Sequence, residues 1–244
     1  MTSFINPHIS VDIVVFGFDD AEGLKVLLIK RSRNDAIDKK KLKLPGNFIN
    51  IKERLNDSAH RILNEFTGIK NIYLKQFGVF DKPDRLGNGE DLQLLRKRYG
   101  SVIERVVTIA YYSLVKLHQY AETELSKAYD ANWYSLKEIP ELIFDHNQIV
   151  SEGLTALQKE FLTEPLCFEL LPKKFTINQL LHISEAILGF EIDNRNFRKR
   201  INRLDYIVPL NERQTGVSHK PARFYIFDRN KFDILKKEHT GFII

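Results

Sequence analysis

One loop and the helix after it, between Leu44 and Ile69, constrain the fold of this chain more than any other stretch. The segment reads L-P-G-N-F-I-N-I-K-E-R-L-N-D-S-A-H-R-I-L-N-E-F-T-G-I. It opens with the turn formers Pro45, Gly46 and Asn47. The apolar residues that follow recur at helical spacing: Ala59, Ile62, Leu63 and Phe66. Gly68 is suited to end the helix, because glycine readily adopts the left-handed backbone conformation of a C-terminal cap.

The spacing of this segment resembles the Nudix box, the signature of hydrolases that cleave nucleoside diphosphates linked to another group. The signature has a Gly, then a Glu, and then Arg-Glu-apolar-x-Glu-Glu-x-Gly-apolar, at set intervals. Asn47 stands at the first Gly position, Glu53 at the first Glu and Arg61 at the Arg. The apolar position and the closing pair are Leu63, Gly68 and Ile69. Because the spacing is retained throughout, the resemblance implies a Nudix fold.

The carboxylates of the box are retained only in part. Ile62 and Phe66 occupy two of the helix Glu positions, and only Glu65 remains there. In the hydrolases these carboxylates bind Mg²⁺, which requires clustered oxygen ligands. Ile62 and Phe66 are four residues apart and share a helix face, so that face is expected to pack rather than bind metal. We therefore expect no catalytic residues, no metal ion and no cofactor.

A residual enzyme is the alternative. A pyrophosphohydrolase acting on ADP-ribose or a nucleotide sugar could use Glu53, Glu65 and a further carboxylate such as Glu104. For Arg61, the interpretation is structural: it lies four residues before Glu65, which predicts an ion pair that ties down the box loop.

Patterns typical of strands and helices extend the Nudix resemblance over residues 8–162. A connector with two prolines follows, T-E-P-L-C-F-E-L-L-P, so we predict domains at 1–162 and 163–244. The predicted fold class is α/β (α+β): a Nudix-like sandwich with a mixed sheet, then a winged helix-turn-helix. Residues 86–103 look like an insertion. Three roles are consistent with the sequence: a lid, a dimer contact or a surface loop.

The second domain has the sequence outline of a winged helix-turn-helix. Thr176, with Gln179 three residues later, predicts a capping box at the start of a helix. After a short turn, residues 194–204 predict a second helix, with Phe197, Ile201 and Leu204 on one face. Two short strands, 206–209 and 222–227, flank a polar loop. This order of elements predicts a helix that enters the major groove of DNA and a hairpin wing.

The basic side chains of this domain are the predicted DNA contacts. From Pro172 onward the chain carries 14 Lys and Arg against 8 Asp and Glu, a net charge of +6. The whole chain has a net charge of +5, so the excess of positive charge lies in this last part. Positive charge concentrated in one part favours a polyanion partner. We expect base contacts from Arg195 and Asn196. The remaining predicted contacts, chiefly to phosphates, are Arg198, Lys199, Arg203, Lys220 and Arg223. A merely solvated basic helix, and a surface for protein or RNA, are the alternatives.

Together, the two parts are similar to the Nudix-related transcriptional regulators. The similarity rests on the altered box, on L-L-P-K-K-F-T near residue 170 and on R-N-F-R-K-R near 195. It implies a homodimer on a palindromic operator, with the Nudix domain acting as the sensor of a small effector. Some members respond to ADP-ribose; others, which this box resembles more, respond to a sugar such as arabinose and control sugar catabolism. Candidate effector contacts are Arg31, Glu65, Asp84 and Arg85.

Cysteine content and hydropathy bear on the compartment. Cys167 is the single cysteine of the 244 residues, so no internal disulfide can form. The sequence shows neither a signal peptide pattern nor an apolar run long enough to cross a membrane. We therefore expect a soluble cytoplasmic protein.

Overall fold

The computed structural model describes residues 5–30, 42–87, 89–99, 105–120, 129–216 and 220–238, and the single residues 103, 125, 127 and 218. The chain forms two compact units, Met1–Ala156 and Leu157–Ile244. The division lies within a long helix, shortly before residue 162, where the sequence predicts the boundary. Within the described ranges, no helix combines the length and the apolar character needed to span a membrane.

The first unit consists of a mixed sheet and its helices. Its strands are β1 (Ile5–Asp19), β2 (Gly23–Lys30), β3 (Leu42–Lys43), β4 (Gly46–Asn50), β5 (Lys75–Phe80), β6 (Val107–Lys116) and β7 (Asn132–Ser135). Its helices are α1 (Leu55–Thr67), α2 (Glu90–Tyr99) and the part of α3 (His146–Phe161) up to Ala156, with short 3₁₀ turns at Leu117–Tyr120 and Leu136–Glu138. The predicted mixed-sheet Nudix fold is confirmed.

Strand β1 is the centre of the sheet. The strand order is β3-β2-β1-β6-β5, with β4 also paired to β1 and β7 to β2. β1 and β6 run parallel, and the other pairs are antiparallel. The first half of β1 pairs with β4, which places Asp12 opposite Gly46. A Cβ atom on residue 46 would lie 1.8 Å from Asp12 Oδ1, so only glycine fits there.

Helix α1 packs its apolar face on this sheet, as the periodicity predicts. Ala59, Ile62, Leu63 and Phe66 are all buried in the core that includes Val11, Ile13 and Val15 of β1. The helix ends at Gly68, whose φ is 81° and whose N–H donates to the carbonyl of Asn64. The predicted glycine cap is therefore confirmed.

The described part of the segment 86–103 contributes to a small second core. Leu86 and Ile103 are buried there with Phe48 and Val106. Helix α2 lies within the segment, and its Leu92 and Leu95 pack against the same cluster. The segment is therefore more than a surface loop.

The second unit continues from the end of α3 and has the predicted order of helices and strands. Its further elements are α4 (Leu166–Leu170), α5 (Ile177–Leu188), α6 (Asn194–Ile201), β8 (Ile207–Arg213), β9 (Arg223–Phe227) and α7 (Arg229–Glu238). β8 and β9 form a two-stranded antiparallel hairpin. The winged-helix prediction is confirmed, but α4 and α7 were not predicted.

Helix α6 is shorter than the sequence predicts. It ends at Ile201, not at Leu204. The N–H groups of Arg203 and Leu204 donate to carbonyls three residues back, at Arg200 and Ile201, which tightens the chain into turns. Arg203 therefore lies just beyond the helix, and its prediction as a helix residue is wrong.

Candidate functional site

The box loop is closed by an ion pair between its first glutamate and its arginine. Arg61 donates to both oxygens of Glu53, from Nε at 2.6 Å and from Nη2 at 2.8 Å. Ser58 Oγ donates to Glu53 Oε2 at 2.7 Å, and the N–H of Asn50 donates to the same oxygen at 3.3 Å. The hydrogen bonds from Arg61, above all, lower the pKa of Glu53 to about 2. Glu53 therefore serves as an anchor for the loop.

Glu65, a predicted effector contact, lies on the exposed side of Arg61. Arg61 Nη1 is 3.4 Å from Glu65 Oε2, and nearly half of the Glu65 side chain is exposed. The predicted pair between Arg61 and Glu65 is confirmed. The sequence did not predict the ion pair between Arg61 and Glu53, which is the shorter of the two contacts of Arg61.

The two box positions that lost their carboxylates are buried and apolar. Ile62 is fully buried and Phe66 is 5% exposed, so the prediction that this face packs is confirmed. Above Phe66 lies a cation, the Lys43 ammonium, with Nζ 5.1 Å from the ring centre. The same Nζ donates to the carbonyl of Gly46 at 2.6 Å. Lys43 is thus held over the box by contacts that the sequence pattern did not predict.

A buried network of charges lies beside the box loop. Arg85 is almost fully buried and donates to both oxygens of Asp145, from Nε at 3.0 Å and from Nη2 at 2.8 Å. Its Nη2 also lies 3.5 Å from Asp12 Oδ2. This fork of paired contacts suits a guanidinium and a carboxylate. Arg85 was predicted as an effector contact; in the structure it holds the two carboxylates of the network together.

His146 completes the network as a neutral ring. Its Nδ1 accepts the N–H of Leu44 at 3.0 Å, which leaves Nε2 as the protonated nitrogen, 3.6 Å from Asp12 Oδ1. Burial lowers the pKa of His146 to about 4 and outweighs the attraction of Asp12. Burial acts to raise the pKa of Asp12, but the His146 ring and the charges of Arg85 and Lys43 bring it below its ordinary value. Asp12 is ionised and His146 neutral near pH 7.

Two adjoining hollows, together called the cleft, open onto this network. The inner one has a volume of about 80 Å³ and is lined by polar groups, including Ser10, Asp12, Lys43 and Asn47, and by the rings of Phe48 and Phe144. The outer one has a volume of about 540 Å³ and is lined by Lys82, Asp84, Glu141, Asp145 and Gln148, among others. Both share Arg85, Leu86, Ile143 and Phe144. Polar groups with apolar and aromatic walls are typical of ligand sites.

The structure brings only some of the predicted effector contacts together. Asp84 is exposed on a turn and lines the outer hollow, and Arg85 lies between the two hollows. Glu65 is not among the lining residues of either hollow. Arg31 lies outside the described residues, as does Glu104, the further carboxylate of the enzyme alternative.

The residues that sequence reasoning missed are Asp12, Lys43, Asp145 and His146. Of these, Asp12 left a signal: a lone charge within the apolar run V-D-I-V-V-F, where a buried partner is required. Asp145 and His146 left none that local patterns could show, because their partners are far along the chain. Lys43 comes soon after three other lysines, at 39, 40 and 41, so the pattern does not distinguish it from them.

In the second unit, local hydrogen bonds shape the predicted DNA-binding helix pair. Thr176 Oγ1 accepts the N–H of Gln179 at 3.3 Å, and Gln179 Oε1 accepts the N–H of Thr176 at 2.8 Å. The predicted capping box of α5 is therefore confirmed. At the start of α6, Asp193 Oδ1 accepts the N–H of Asn196 at 2.7 Å. Phe197, on the buried face of this helix, is 2% exposed.

The opposite face of α6 is exposed. Arg195, Asn196 and Lys199 are exposed on it, as is Arg203 just beyond its end and Lys220 in the hairpin loop. Their proposed contacts with DNA stay predictions.

Two other predicted DNA contacts are engaged inside the unit. Arg198 donates from Nε to Asn194 Oδ1 at 2.6 Å and from Nη2 to Asn178 Oδ1 at 2.5 Å, which ties α6 to α5. Arg223 donates from Nε to the carbonyl of Leu210 at 2.6 Å, across the hairpin. Arg223 is nevertheless exposed, so these hydrogen bonds do not exclude its predicted contact with DNA.

Comparison with known proteins agrees with both parts. Residues 6–153 match the model of the NUDIX domain family, and residues 167–227 match that of the NrtR DNA-binding winged helix domain. The chain is 26% identical over 236 residues to the ADPR-responsive transcriptional repressor NtrR of Acinetobacter baylyi, covering 95% of this chain and 86% of that protein. It is also 26% identical over 149 residues to the ADP-ribose pyrophosphatase of Methanocaldococcus jannaschii, covering 61% of this chain and 74% of that enzyme.

Among solved structures, the crystal structure of Shewanella oneidensis NrtR with a 27-mer DNA superposes with a TM-score of 0.67. The two chains are 25% identical, and the match covers 92% of this chain and 95% of the other. The resemblance to arabinose-responsive members is not supported, since the regulator from Acinetobacter baylyi is named for ADPR. The chain belongs to the Nudix family, and its Nudix domain followed by an NrtR-type winged helix is the arrangement of the Nudix-related transcriptional regulators.

Proposed function

We propose that this chain is an ADP-ribose-responsive transcriptional repressor, in which the Nudix unit senses the effector and the winged helix binds DNA. The observation that carries the proposal is the pairing of an exposed basic helix with a Nudix box whose metal-binding face is buried. Helix α6 displays Arg195, Asn196 and Lys199, while Ile62 and Phe66 are part of a core. The similarity to an ADPR-responsive repressor over most of the chain supports the choice of effector.

The cleft suits a ligand of this kind. Ligand pockets in proteins have volumes of roughly 300–1,000 Å³, and the outer hollow, at about 540 Å³, lies within this range. The shared wall offers Phe144 as an apolar surface and the Arg85 network as a polar one. An effector with a ring system, hydroxyl groups and a diphosphate uses both kinds of surface. Asp84 and Arg85 remain the predicted contacts.

We also propose that the Nudix unit does not hydrolyse its ligand. Glu53 is held by Arg61 and Ser58, and the neighbouring box positions carry Ile62 and Phe66. These contacts leave the box without the cluster of carboxylates that Mg²⁺-dependent hydrolysis requires.

The proposed switch is a change in the spacing of two recognition helices in a cytoplasmic homodimer. Helices that bind successive major grooves of a palindromic operator must be roughly 34 Å apart. The effector shifts the dimer between two arrangements only by its difference in affinity for them. A repressor that releases DNA on binding its effector must therefore bind that effector more tightly in the DNA-free arrangement.

The test is fluorescence anisotropy of a labelled duplex from upstream of the protein's own gene. We expect salt-sensitive binding that ADP-ribose reverses, while ADP and L-arabinose at the same concentration do not. A duplex that stays bound in ADP-ribose and is released by L-arabinose would show that the effector is a sugar. Binding to single-stranded RNA in preference to the duplex would overturn the DNA-binding proposal.

A separate assay tests the enzyme alternative on the same protein. We expect no release of AMP from ADP-ribose in the presence of Mg²⁺. Turnover that Glu65→Gln abolishes would establish the pyrophosphohydrolase instead, because that carboxylate would then be required for the reaction.

A further inference from the structure

The Nudix fold implies a divalent cation, and the residues of this box do not fit one. Mg²⁺ and Ca²⁺ need several oxygen ligands around one point. Ile62 and Phe66 offer none, and Arg61 and Ser58 hold the oxygens of Glu53. In the part of the chain that the structure describes, no group of three or more His, Cys, Asp or Glu side chains could hold a metal ion.

A cation of the protein itself, the Lys43 ammonium, lies beside the box. The Lys43 ammonium lies over the ring of Phe66, which has replaced a box carboxylate. It also donates to the carbonyl of Gly46 in the box loop, an oxygen of the type that hard cations bind. One ammonium thus contacts a carbonyl oxygen and the residue at a former ligand position.

The charges of the buried network, together with Lys43 beside it, balance without a metal ion. The network has the carboxylates of Asp12 and Asp145 and the cation Arg85, the half-buried Lys43 adds a second cation, and the His146 ring is neutral. A divalent ion placed beside Lys43 would meet like charge in a medium less polar than water, where the repulsion is stronger than in solvent. The residues around the box therefore disfavour a metal ion, in addition to lacking its ligands.

We infer that the Lys43 ammonium replaces the divalent cation of the Nudix fold, so that the cleft excludes metal ions and binds an anionic diphosphate effector without one. Lys43 lines the inner hollow, next to the shared wall with Arg85. An ammonium donates in three directions, so its contact with Gly46 does not exclude a contact with an effector oxygen. The part of this inference that concerns the effector rests on the proposed function.

The metal part is tested without any effector. Full-length protein is titrated with Mn²⁺, and free Mn²⁺ is followed by electron paramagnetic resonance, with a Nudix hydrolase that has an intact box as the positive control. We expect the free Mn²⁺ signal to match that of buffer. A saturable site on this protein that Glu53→Gln or Glu65→Gln weakens would overturn the inference.

The effector part is tested by calorimetry with ADP-ribose, once with Mg²⁺ and once with EDTA. We expect equal affinities under both conditions. Lys43→Met is expected to weaken binding by about tenfold or more, because it removes a charged donor, whereas Lys43→Arg retains the charge and a larger share of the affinity. The matched control is Lys52→Met, which removes an exposed lysine from the turn between β4 and α1.

Two results would overturn this part: an affinity that rises at least about tenfold with Mg²⁺, or a folded Lys43→Met protein that binds as tightly as the wild type. Circular dichroism and melting temperature establish that the variant is folded. If the wild type binds ADP-ribose under neither condition, the proposed effector is wrong, and the Mn²⁺ titration still decides whether the box excludes metal.

Discussion

The two units use the same charged residue types in opposite ways. In the Nudix unit, Arg85 is almost fully buried and its donors are directed at Asp145 and Asp12. In the winged-helix unit, Arg195 and Lys199 are exposed on a helix whose other face is buried. Burying a charge costs free energy unless the charge is paired. The internal pairs therefore affect the stability of the Nudix unit and fix the side chains that line the cleft. Charge on the surface contributes little to stability and is available for a partner.

The largest effect is expected from Arg85→Ala. The substitution leaves the carboxylates of Asp145 and Asp12 buried without their main partner, which should lower the free energy of unfolding by about 3–5 kcal/mol. Urea denaturation followed by tryptophan fluorescence measures the change, because Trp133 lies in the Nudix unit.

The control for this prediction is Arg105→Ala. The Arg105 side chain is more than half exposed, with Nη2 3.8 Å from Asp81 Oδ2 and 2.9 Å from the Asp81 carbonyl oxygen, so its loss should cost no more than about 1 kcal/mol. Equal losses for the two variants would remove the contrast between buried and exposed charge.

The next effect concerns binding in the other unit. Arg195→Ala should weaken operator binding by about 1–3 kcal/mol and relax the choice of base, while unfolding changes by less than about 0.5 kcal/mol. Lys199→Ala should weaken all duplexes alike and lower the salt dependence by about one charge. Anisotropy titrations at several salt concentrations measure both, with Lys237→Ala on α7 as the control. A loss of stability without a loss of binding would mean that these side chains are structural.

A smaller, graded effect is expected from His146 as pH falls. The unfolded His146 takes up a proton below its ordinary pKa of 6.5, whereas the folded ring stays neutral until about pH 4. The unfolded state therefore binds more protons in this window, and the stability of the wild type should fall as pH falls from 6.5 to 4. The slope from this one residue is at most about 1.4 kcal/mol per pH unit.

His146→Gln keeps a hydrogen-bond acceptor for the N–H of Leu44 but does not titrate. Urea denaturation at a series of pH values should show a flatter profile for this variant above pH 4.5, where the acidic side chains contribute less. Parallel profiles for the two proteins would show that the ring is not buried in its neutral form.

The smallest effect is expected from Thr176→Ala at the start of α5. The capping box uses neutral groups, and losing it should cost about 1 kcal/mol in the winged-helix unit. Thr155→Ala, an exposed threonine inside α3, is the control and should change little. Far-ultraviolet circular dichroism during urea denaturation measures the difference. A cost as large as that of Arg85→Ala would show that local capping, not buried charge, dominates the stability of this chain.

Several features of the fold were predictable because their causes are local in the chain. Gly68 ends α1, and Thr176 with Gln179 begins α5, through contacts between residues a few positions apart. The apolar spacing of Phe197 and Ile201 identified the buried face of α6, because helical geometry alone places them together. The end of α6 was predicted too late in the chain. The apolar spacing continues to Leu204, whereas the backbone at Arg203 and Leu204 has already left the helix for tighter turns.

The sequence by itself determined the spacing of the box, the loss of its carboxylates and the segregation of basic residues into the second unit. Only the tertiary structure decided which charges are internal. The pairing of β1 with β4 places Asp12 opposite Gly46, and the turn at Arg85 meets the start of α3 at Asp145. Arg85 is 60 residues from Asp145 in the chain and farther still from Asp12, so no local pattern distinguishes Arg85 from Arg195. Burial creates the difference between them, because a charge removed from water must find its partner within the fold.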